Sequence, residues 1–386
     1  MVGSKKLALL GATGSIGTSA LAVLDEQAER YSLAFICAHS DHAGLCRIAY
    51  RYKVSTLVLT GISDRSQQAS ISTAHPSLHI YFGEEELLRL LENEDYDIAL
   101  NAISGSAGLR STFAILGRGK TLALANKESL VMAGHLVQRL KTDRQASILP
   151  VDSEHSALFQ AIGAHPGLEI RKLHITASGG AFRELPLKDF AHITVAQALK
   201  HPNWDMGAKV TLDSATMFNK ALEVMEARWL FGLDYDRITA LIHPQSVIHS
   251  MVEFVDGSIL AQLSNPDMKL PILYALSHPE RHPSKLVETD FLQMAALTFA
   301  SIEPERYPLY YLGLEVARAG GILPTVINSA NEAALQLFLH GKIGFADIHR
   351  VVEKAVRAYP NLPDPDLETI IHVNREVYQS VLKPRP

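Results

Sequence analysis

Short apolar runs separated by amphipathic stretches make up the first 151 residues of the chain. The runs are interpreted as buried strands, and they occupy 6–10, 32–38, 55–60, 97–103, 120–125 and 147–151. The stretches between them, including 84–93 and 127–142, have the periodicity of helices. Because strands and helices alternate, the pattern predicts a parallel sheet with crossover helices on both faces.

From about residue 172 onward, apolar and polar residues alternate as they do in half-buried strands. The strand-like runs are KLHITASGG (172–180), KVTLDS (209–214), ITALIHP (238–244), VIHSMVEFV (247–255) and SILAQLS (258–264). One helical stretch, 216–231, lies among them. This part of the chain is therefore expected to be an α+β domain built on a second sheet.

The last part of the chain combines a proline-containing stretch of little periodicity with a set of helices. The helices are predicted at 309–318, 324–339, 344–358 and 374–382. We therefore predict an α/β protein with four parts. These are an N-terminal Rossmann-type parallel sheet (1–151), a central α+β domain (152–277), a linker (278–305) and a C-terminal helical domain (306–386).

Composition restricts the class of protein. The 386 residues are 47% hydrophobic and 20% charged, with a net charge of −5 and no basic block, which argues against a nucleic-acid surface. No apolar run has the length of a membrane span, and the apolar run at the N-terminus passes into a glycine pattern rather than a cleavage site. Two cysteines give no disulfide framework. These features predict a cytoplasmic protein that has neither nucleic acid nor a membrane as its partner.

GATGSIG, residues 11–17, places three glycines between a predicted strand and a predicted helix. In dinucleotide-binding folds such glycines permit the tight turn, the approach of backbone N–H groups to the pyrophosphate and the close packing of the helix. An ordinary strand–helix turn is the alternative, but the β-α-β context favours a cofactor. The second strand ends in Ala38, His39 and Ser40 instead of the acid usual for NAD, which favours NADP. The alternative for His39 is a loop residue that faces water.

Two carboxylates, Asp152 and Glu154, follow the last strand of the alternating region, where ligands collect in open α/β sheets. They could cap the next helix or hold a cation, and these two residues alone leave both interpretations open. Glu223 would add a third oxygen ligand from a separate segment, and such a set suits Mg²⁺ or Mn²⁺.

Glu223 and Glu226 lie three residues apart on the predicted helix and share a face with Asn219 and Lys220. The alternative to a metal ligand is a solvated helix face. For Glu226 that alternative, or pairing with Lys220 or Arg228, stays open.

Three segments concentrate small polar and basic residues: TASGG (176–180), HPNWDMG (201–207) and TLDSATMFNK (211–220). Ser214 is expected to precede a helix that has Asn219 and Lys220 in its first turns, which suits a phosphate, although a simple N-cap is the alternative. Ser178 and the glycines after it would add a hydroxyl and backbone donors, or form only a turn. HPNWDMG is interpreted as a mobile loop that closes over a substrate.

Taken in order, these motifs resemble those of the 1-deoxy-D-xylulose 5-phosphate reductoisomerases. The matching segments are GATGSIG, LANKESLV, PVDSEHSALFQ, TASGGAFRE, HPNWDMG, TLDSATMFNKALEVMEARWLF, IHPQSVIHSMV and DGSILAQLSNPDM, and together they cover essentially the whole chain. The resemblance implies an enzyme that uses NADPH and a divalent cation (Mn²⁺, Mg²⁺ or Co²⁺). Its substrate would be a small sugar phosphate, 1-deoxy-D-xylulose 5-phosphate, which it would rearrange and reduce to 2-C-methyl-D-erythritol 4-phosphate. This is the committed step of non-mevalonate isoprenoid precursor biosynthesis, and the α+β domain would be its catalytic part.

The resemblance also implies roles for individual residues. Those implied at the cofactor are Thr13, Gly14, Ser15, Ile16, Ala38, His39, Ser40, Asn126, Glu128 and Gly207. The implied metal ligands are Asp152, Glu154 and Glu223. Those implied at the substrate and its phosphate are Lys127, Ser153, Glu154, Ser178, His201, Ser214, Asn219, Lys220 and Glu223, with Trp204 and Met206 on a flap.

Departures from the family pattern remove none of these metal or phosphate residues. Ala38, His39 and Ser40 stand where a glycine, a basic residue and an asparagine are common, which bears on NADP selectivity. The enzymatic alternative is a metal-dependent NADP sugar-phosphate dehydrogenase that performs no skeletal rearrangement. The non-enzymatic alternative is an NADP-binding sensor or scaffold. The resemblance further implies a homodimer and sensitivity to fosmidomycin.

Overall fold

The computed structural model describes residues 4–163, 167–204, 206–290, 292 and 296–383. By their contacts, the residues divide into two compact units. Unit 1 contains Met1–Asn126, Val137–Asp152 and Met268–Val287, and unit 2 contains Lys127–Leu136, Ser153–Asp267 and Glu288–Pro386. The four-part division that ends at residues 151, 277 and 305 stays a prediction.

The regular elements follow one another along the chain as the sequence pattern indicates for most of its length. The strands are β1 (Lys5–Leu10), β2 (Tyr31–Ala38), β3 (Thr56–Leu59), β4 (His79–Phe82), β5 (Ile98–Asn101), β6 (Thr121–Leu124), β7 (Ser147–Pro150), β8 (Ile170–Ala177), β9 (Ile238–Ile242), β10 (Ile248–Phe254) and β11 (Ile259–Leu263). The helices are α1 (Ser15–Glu26), α2 (His42–Tyr52), α3 (Arg65–Ala74), α4 (Glu84–Asn93), α5 (Leu109–Gly117), α6 (Glu128–Asp143), α7 (Ser153–Ile162), α8 (Val195–Ala198), α9 (Ala208–Ala215), α10 (Phe218–Phe231), α11 (Lys269–Ser277), α12 (Pro308–Ala319), α13 (Leu323–Leu339), α14 (Asp347–Ala358) and α15 (Leu367–Leu382).

Unit 1 is built on a parallel sheet of seven strands in the order β4-β3-β2-β1-β5-β6-β7. The predicted Rossmann-type sheet is confirmed, and its inner strands β1 and β5 are almost wholly buried, as their apolar runs require. The order reverses between β1 and β5, which is the point where such sheets bind ligands. The sequence pattern missed β4, because HIYF is short and its side chains are exposed or only half buried.

Unit 2 contains a four-stranded sheet in the order β11-β10-β8-β9. β8 and β9 are parallel, whereas β10 runs antiparallel to β8 and β11. Helices α7 and α10 pack against this sheet. A single apolar cluster joins the sheet to both helices, and it includes Leu158, Leu173, Ile175, Val224 and Val252.

The sequence interpretation of KVTLDS as a strand is wrong, because residues 208–215 form helix α9. Its Val and Thr residues favour strands, but burial of Thr211, Leu212 and Ala215 on one side of a helix outweighs that local preference. The predicted helix 216–231 exists as α10, which begins two residues later than predicted. Met217 separates the two helices in a left-handed conformation with φ 59°.

The four predicted C-terminal helices are confirmed as α12 to α15. α13 contacts α12, α14 and α15, so these helices form one packed group. α15 begins at Leu367, earlier than the predicted residue 374, because the Asp366 side chain accepts a hydrogen bond from Thr369 N and caps it. Among the described residues, no helix combines the length and the apolar character that crossing a bilayer requires.

Candidate active site

The glycine turn joins β1 to α1 in unit 1. Gly11 has φ +81°, and a Cβ at this position would lie 2.6 Å from the carbonyl oxygen of Ala102. A Cβ at Gly17 would lie 2.4 Å from the carbonyl oxygen of Ala12, so the third glycine allows the helix to pack against its own turn. α1 begins at Ser15 with exposed Gly14 as its N-cap. The positive end of the helix dipole is therefore presented to solvent at the switch point of the sheet, where it suits a pyrophosphate.

Ala38, His39 and Ser40 lie at the end of β2. Ala38 is buried, whereas His39 and Ser40 are exposed. The His39 ring covers Gly61, where a Cβ would lie 2.4 Å from the ring, and its Nδ1 lies 3.3 Å from Thr60 Oγ1. His39 is therefore more than a free loop residue, and no carboxylate occupies the described end of this strand.

Asn126 is 2% exposed, and its side-chain amide forms hydrogen bonds within unit 1. Its Nδ2 donates to the carbonyl oxygens of Ile103 and Gly105, each at 2.7 Å. These bonds shape the loop that follows β5. Buried Asn101, which the sequence interpretation did not single out, supports the same loop by donating to Gly108 O at 3.0 Å.

Glu154 and Glu223 share one lysine. Lys220 Nζ donates to Glu154 Oε1 at 2.8 Å and also to a carboxylate oxygen of Glu223, and Lys220 and Glu223 are 4% and 1% exposed. Burial alone would lower the pKa of Lys220, but the two carboxylates outweigh it and the pKa is raised, so the ammonium stays charged. Asp152 is bonded directly to the first residue of α7, and the oxygens that Asp152, Glu154 and Glu223 offer lie within 4.8 Å of one another. They form one compact set of hard oxygen donors.

The helix-cap and cation interpretations of these carboxylates are compatible. α7 begins at Ser153, so Glu154 lies in its first turn, where the helix dipole favours a negative charge. Ser153 Oγ donates to the Glu154 carboxylate. The same residues can therefore begin a helix and face a cation.

Lys127 lies at the start of α6 and points to α10. It is 7% exposed, and its Nζ lies 3.0 Å from Asn219 Oδ1 and 3.3 Å from Glu223 Oε1. Asn219 Nδ2 in turn donates to Glu223 Oε1. Two lysines thus flank the Glu223 carboxylate, which compensates for the burial of its charge.

Glu226 is not on a solvated face. It is 1% exposed, and its Oε2 lies 3.4 Å from Nδ1 of the fully buried His155. His155 Nε2 lies 2.9 Å from the backbone oxygen of Glu223, while Arg228, the other suggested partner of Glu226, pairs with Asp234 at 3.2 Å. Asp152, His155 and Glu226 form a second group whose candidate ligand atoms lie within 4.8 Å of one another.

His201 fixes the start of the HPNWDMG loop. Its Nδ1 accepts hydrogen bonds from the backbone N–H groups of Asn203 at 3.1 Å and Trp204 at 3.0 Å, so the proton of the neutral ring is on Nε2. Nε2 donates to Ser178 Oγ at 3.0 Å. Burial lowers the pKa of His201 to about 4, against a smaller opposing effect of Glu154. Asp205 lies outside the described residues.

The polar loop after β8 lies against the end of α9. A Cβ at Gly180 would lie 2.4 Å from the backbone oxygen of Ser214, and Gly180 N donates to Ser178 Oγ at 3.1 Å. Ser214 belongs to the last turn of α9, so the alternative of an N-cap for it is wrong. The break at Met217 turns the chain so that Asn219 and Lys220 occupy the first turn of the next helix, as predicted.

A second buried polar network, not predicted from the sequence, lies beside this cluster. Lys209 Nζ lies 2.7 Å from Glu128 Oε1 and 2.9 Å from Asp213 Oδ2. Asn331 Nδ2 donates to Asp213 Oδ1 at 2.7 Å. The signal available in the sequence was the spacing of four residues between Lys209 and Asp213, which a helix would bring together.

Three family models match the chain. They are 1-deoxy-D-xylulose 5-phosphate reductoisomerase at residues 7–134, its C-terminal domain at 148–231, and a further DXP reductoisomerase C-terminal domain at 263–380. A reductoisomerase of this name from Listeria monocytogenes serotype 4b (strain F2365) is 44% identical over 96% of this chain and 97% of its own. That of Gloeobacter violaceus is 43% identical over 96% of this chain and 95% of its own.

Solved structures agree with the sequence relatives. A DOX-P reductoisomerase in complex with NADPH, fosmidomycin and magnesium superposes with a TM-score of 0.92 at 38% identity, covering 98% of this chain and 97% of that one. The 1-deoxy-D-xylulose 5-phosphate reductoisomerase of Zymomonas mobilis in complex with NADPH gives a TM-score of 0.90 at 38% identity, covering 98% of both chains.

Proposed function

The chain belongs to the 1-deoxy-D-xylulose 5-phosphate reductoisomerase family, and on that premise we propose how its residues divide the reaction among them. The chain is an NADP-dependent oxidoreductase that converts 1-deoxy-D-xylulose 5-phosphate to 2-C-methyl-D-erythritol 4-phosphate with NADPH and a divalent cation. The observation that supports the division of roles best is the cluster in which Glu154, Glu223 and Lys220 meet.

Asp152, Glu154 and Glu223 hold the cation. Three carboxylates whose oxygens lie within 4.8 Å of one another are a donor set that fits a divalent cation such as Mg²⁺, Mn²⁺ or Co²⁺. When bound, the cation supplies a Lewis acid that polarises a substrate carbonyl. The buried ammonium groups of Lys127 and Lys220 compensate the negative charge of the carboxylates. This compensation stabilises the folded state against the repulsion between the carboxylates.

The substrate is held at two ends. Lys127, Ser153 and Glu154 contact its hydroxyl and carbonyl oxygens, and Lys127 orients or protonates one of them. The phosphate is bound by Ser178, His201, Ser214, Asn219 and Lys220. The carbon skeleton of the substrate is broken and rejoined by retro-aldol cleavage and re-addition. The two fragments must therefore stay correctly oriented relative to each other, and binding of the phosphate, remote from the reacting carbons, keeps them so.

The HPNWDMG loop is the flap. Its first part is anchored through His201 and through Asn203, whose Nδ2 donates to Pro244 O at 2.8 Å and Ser246 Oγ at 2.9 Å. Trp204 and Met206 extend beyond this anchor and cover the substrate. Their role is to exclude water while the rearranged aldehyde awaits reduction.

The cofactor is bound at the switch point of the parallel sheet. Thr13, Gly14, Ser15 and Ile16 take its phosphates at the N-terminus of α1. Ala38, His39 and Ser40 surround the adenosine ribose, where a strand end without a carboxylate accepts a 2′-phosphate. Asn126, Glu128 and Gly207 line the remainder of the cofactor site.

Four further properties complete the proposal. A homodimer is supported by edge strand β11, whose Ile259 and Leu260 are 54% and 46% exposed. A cytoplasmic location is supported by Cys37 and Cys46, both buried free thiols. Inhibition by fosmidomycin is supported by the set of metal and phosphate residues. The proposed division of the chain follows the order expected of the family: a cofactor domain (1–151), a catalytic domain (152–277), a linker (278–305) and a helical domain (306–386).

One assay tests the proposal. Purified protein is given NADPH, Mg²⁺ and 1-deoxy-D-xylulose 5-phosphate, with and without EDTA, and the product is identified by NMR. We expect substrate-dependent NADPH oxidation that EDTA abolishes, with a branched methyl-tetrol phosphate as the product. An unrearranged polyol phosphate would indicate the dehydrogenase alternative instead.

A further inference from the structure

Glu128, Lys209, Asp213 and Asn331 form a buried network that we call the Lys209 network. The exposed fractions of Glu128, Asp213 and Asn331 are 5%, 0% and 0%. The Lys209 ammonium bridges the two carboxylates, and Asn331 holds the outer oxygen of Asp213. The network therefore ties the start of α6 and both ends of α9 to helix α13.

Each anchored segment carries a residue of the proposed active site. Glu128 follows Lys127, Asp213 precedes Ser214, and Lys209 lies two residues after Gly207 at the end of the flap. A shift of the Glu128 side chain would be transmitted to Lys127 by a single peptide unit. A shift of Asp213 would reach Ser214 in the same way.

Attraction between opposite charges stabilises the Lys209 network. Burial would lower the pKa of Lys209, but Asp213, Glu128 and Glu332 outweigh it and raise the pKa. Burial would raise the pKa of Glu128, but Lys209 outweighs it and the pKa is lowered. The Lys209 ammonium and the Glu128 carboxylate thus stay ionised, and hydrogen-bonded ion pairs in a low dielectric are rigid.

We propose that Lys209, Asp213 and Asn331 are positioning residues that fix Lys127, Ser214 and the end of the flap relative to one another. This inference rests on the proposed function and adds residues that do not touch the substrate themselves. A displacement of about 1 Å in a reacting geometry costs on the order of 100-fold in rate, so a network this close to three site segments controls turnover through geometry.

The test is the variant Asp213→Asn, which keeps the shape of the side chain and removes its charge. The fold should be retained, because one ammonium and two carboxylates become a neutral Lys209–Glu128 pair. We expect kcat/KM for 1-deoxy-D-xylulose 5-phosphate to fall by roughly tenfold or more. The exchange Asp213→Asn with Asn331→Asp returns the carboxylate to the same hydrogen bond, and it should recover kcat/KM to within about threefold of the wild type.

Ser329→Ala is the matched control. Ser329 is also fully buried on α13, and its hydroxyl donates to Asn374 O without contacting the network. Asn331→Ala and Ser329→Ala should lower Tm comparably, whereas only Asn331→Ala should reduce kcat/KM. Equal kinetics for these two variants, or unchanged kcat/KM in Asp213→Asn, would overturn the inference.

A binding measurement keeps the two hypotheses apart. Tryptophan fluorescence is followed while fosmidomycin is added in the presence of Mg²⁺ and NADPH. Asp213→Asn should bind roughly tenfold more weakly than the wild type. Wild-type-like binding and kinetics in this variant refute the positioning role, while absence of the branched product from the wild type refutes the proposed function.

Discussion

Lys220 Nζ on α10 lies 2.8 Å from Glu154 Oε1 on α7, although 66 residues separate the two in the chain. One residue belongs to the proposed phosphate grip and the other to the proposed metal site. The two functions therefore share a single electrostatic cluster, and a change of charge in one of them is felt by the other.

Glu223→Gln should lower turnover by about 100-fold or more and raise the Mg²⁺ concentration needed for half-maximal rate, because it removes the charge of a proposed metal ligand. Glu226→Gln is the matched control, since Glu226 is equally buried on the same helix but lies beside His155. The measurement is kcat at a series of Mg²⁺ and Mn²⁺ concentrations. Equal losses in both variants would contradict Glu223 as the third ligand and favour the group of Asp152, His155 and Glu226.

Lys220→Ala should raise KM for the sugar phosphate by roughly 10- to 100-fold, because it removes the buried ammonium that is proposed to bind the phosphate. KM for NADPH should change by less than about threefold. Exposed Lys188 supplies the control variant Lys188→Ala, which should leave both constants unchanged. A change confined to the NADPH constant would show that Lys220 has been assigned to the wrong ligand.

Acid should destabilise the protein through His201. Its pKa is about 4 in the folded chain and 6.5 ordinarily, so between these values the unfolded chain binds the extra proton and stability falls as pH falls. By pH 5 we expect a loss of about 1 kcal/mol relative to pH 7, after allowing for partial exposure of the ring. Urea unfolding of the wild type and His201→Gln at both pH values measures it. The wild type should lose more, and equal losses would contradict this assignment.

A carboxylate at the end of β2 should change the preference of the enzyme between nucleotides. Ser40→Glu places a negative charge beside the proposed 2′-phosphate, so KM for NADPH should rise by roughly tenfold or more while KM for NADH falls or stays constant. Ser40→Gln is the matched control, because glutamine has nearly the shape of glutamate without its charge. It should change neither KM for NADPH nor KM for NADH by more than about twofold. Initial rates with each nucleotide decide the question. A parallel rise of both constants would place Ser40 elsewhere in the cofactor site.

Periodicity alone predicted six of the seven strands of the parallel sheet and the four C-terminal helices, because buried apolar runs and amphipathic stretches leave few alternatives. It failed where tertiary packing decides. KVTLDS alternates like a strand, yet the Lys209–Asp213 pair and the buried face of α9 make it a helix. Glu226 resembles a solvated residue, but α10 is buried on nearly every side.

The site was predicted in part for a similar reason. Asp152, Glu154 and Glu223 are oxygen donors recognisable by residue type, and their order matches a known family. The hydrogen bonds of His201 and Asn331 depend on which backbone groups and helices lie next to them. Single-sequence patterns do not contain that information, since both residues are ordinary in their local context.

The left-handed residue Met217 makes the length of its segment more important than its composition. In the proposed site Ser214 and Lys220 bind the same phosphate, so the residue count across the break at Met217 decides whether both side chains reach it. One residue inserted into or deleted from α10 before Asn219 would shift the side chains that follow by about 100° about the helix axis. Asn219, Lys220 and Glu223 would then leave the proposed active site together, so the start of α10 should tolerate substitutions far better than any change in its number of residues.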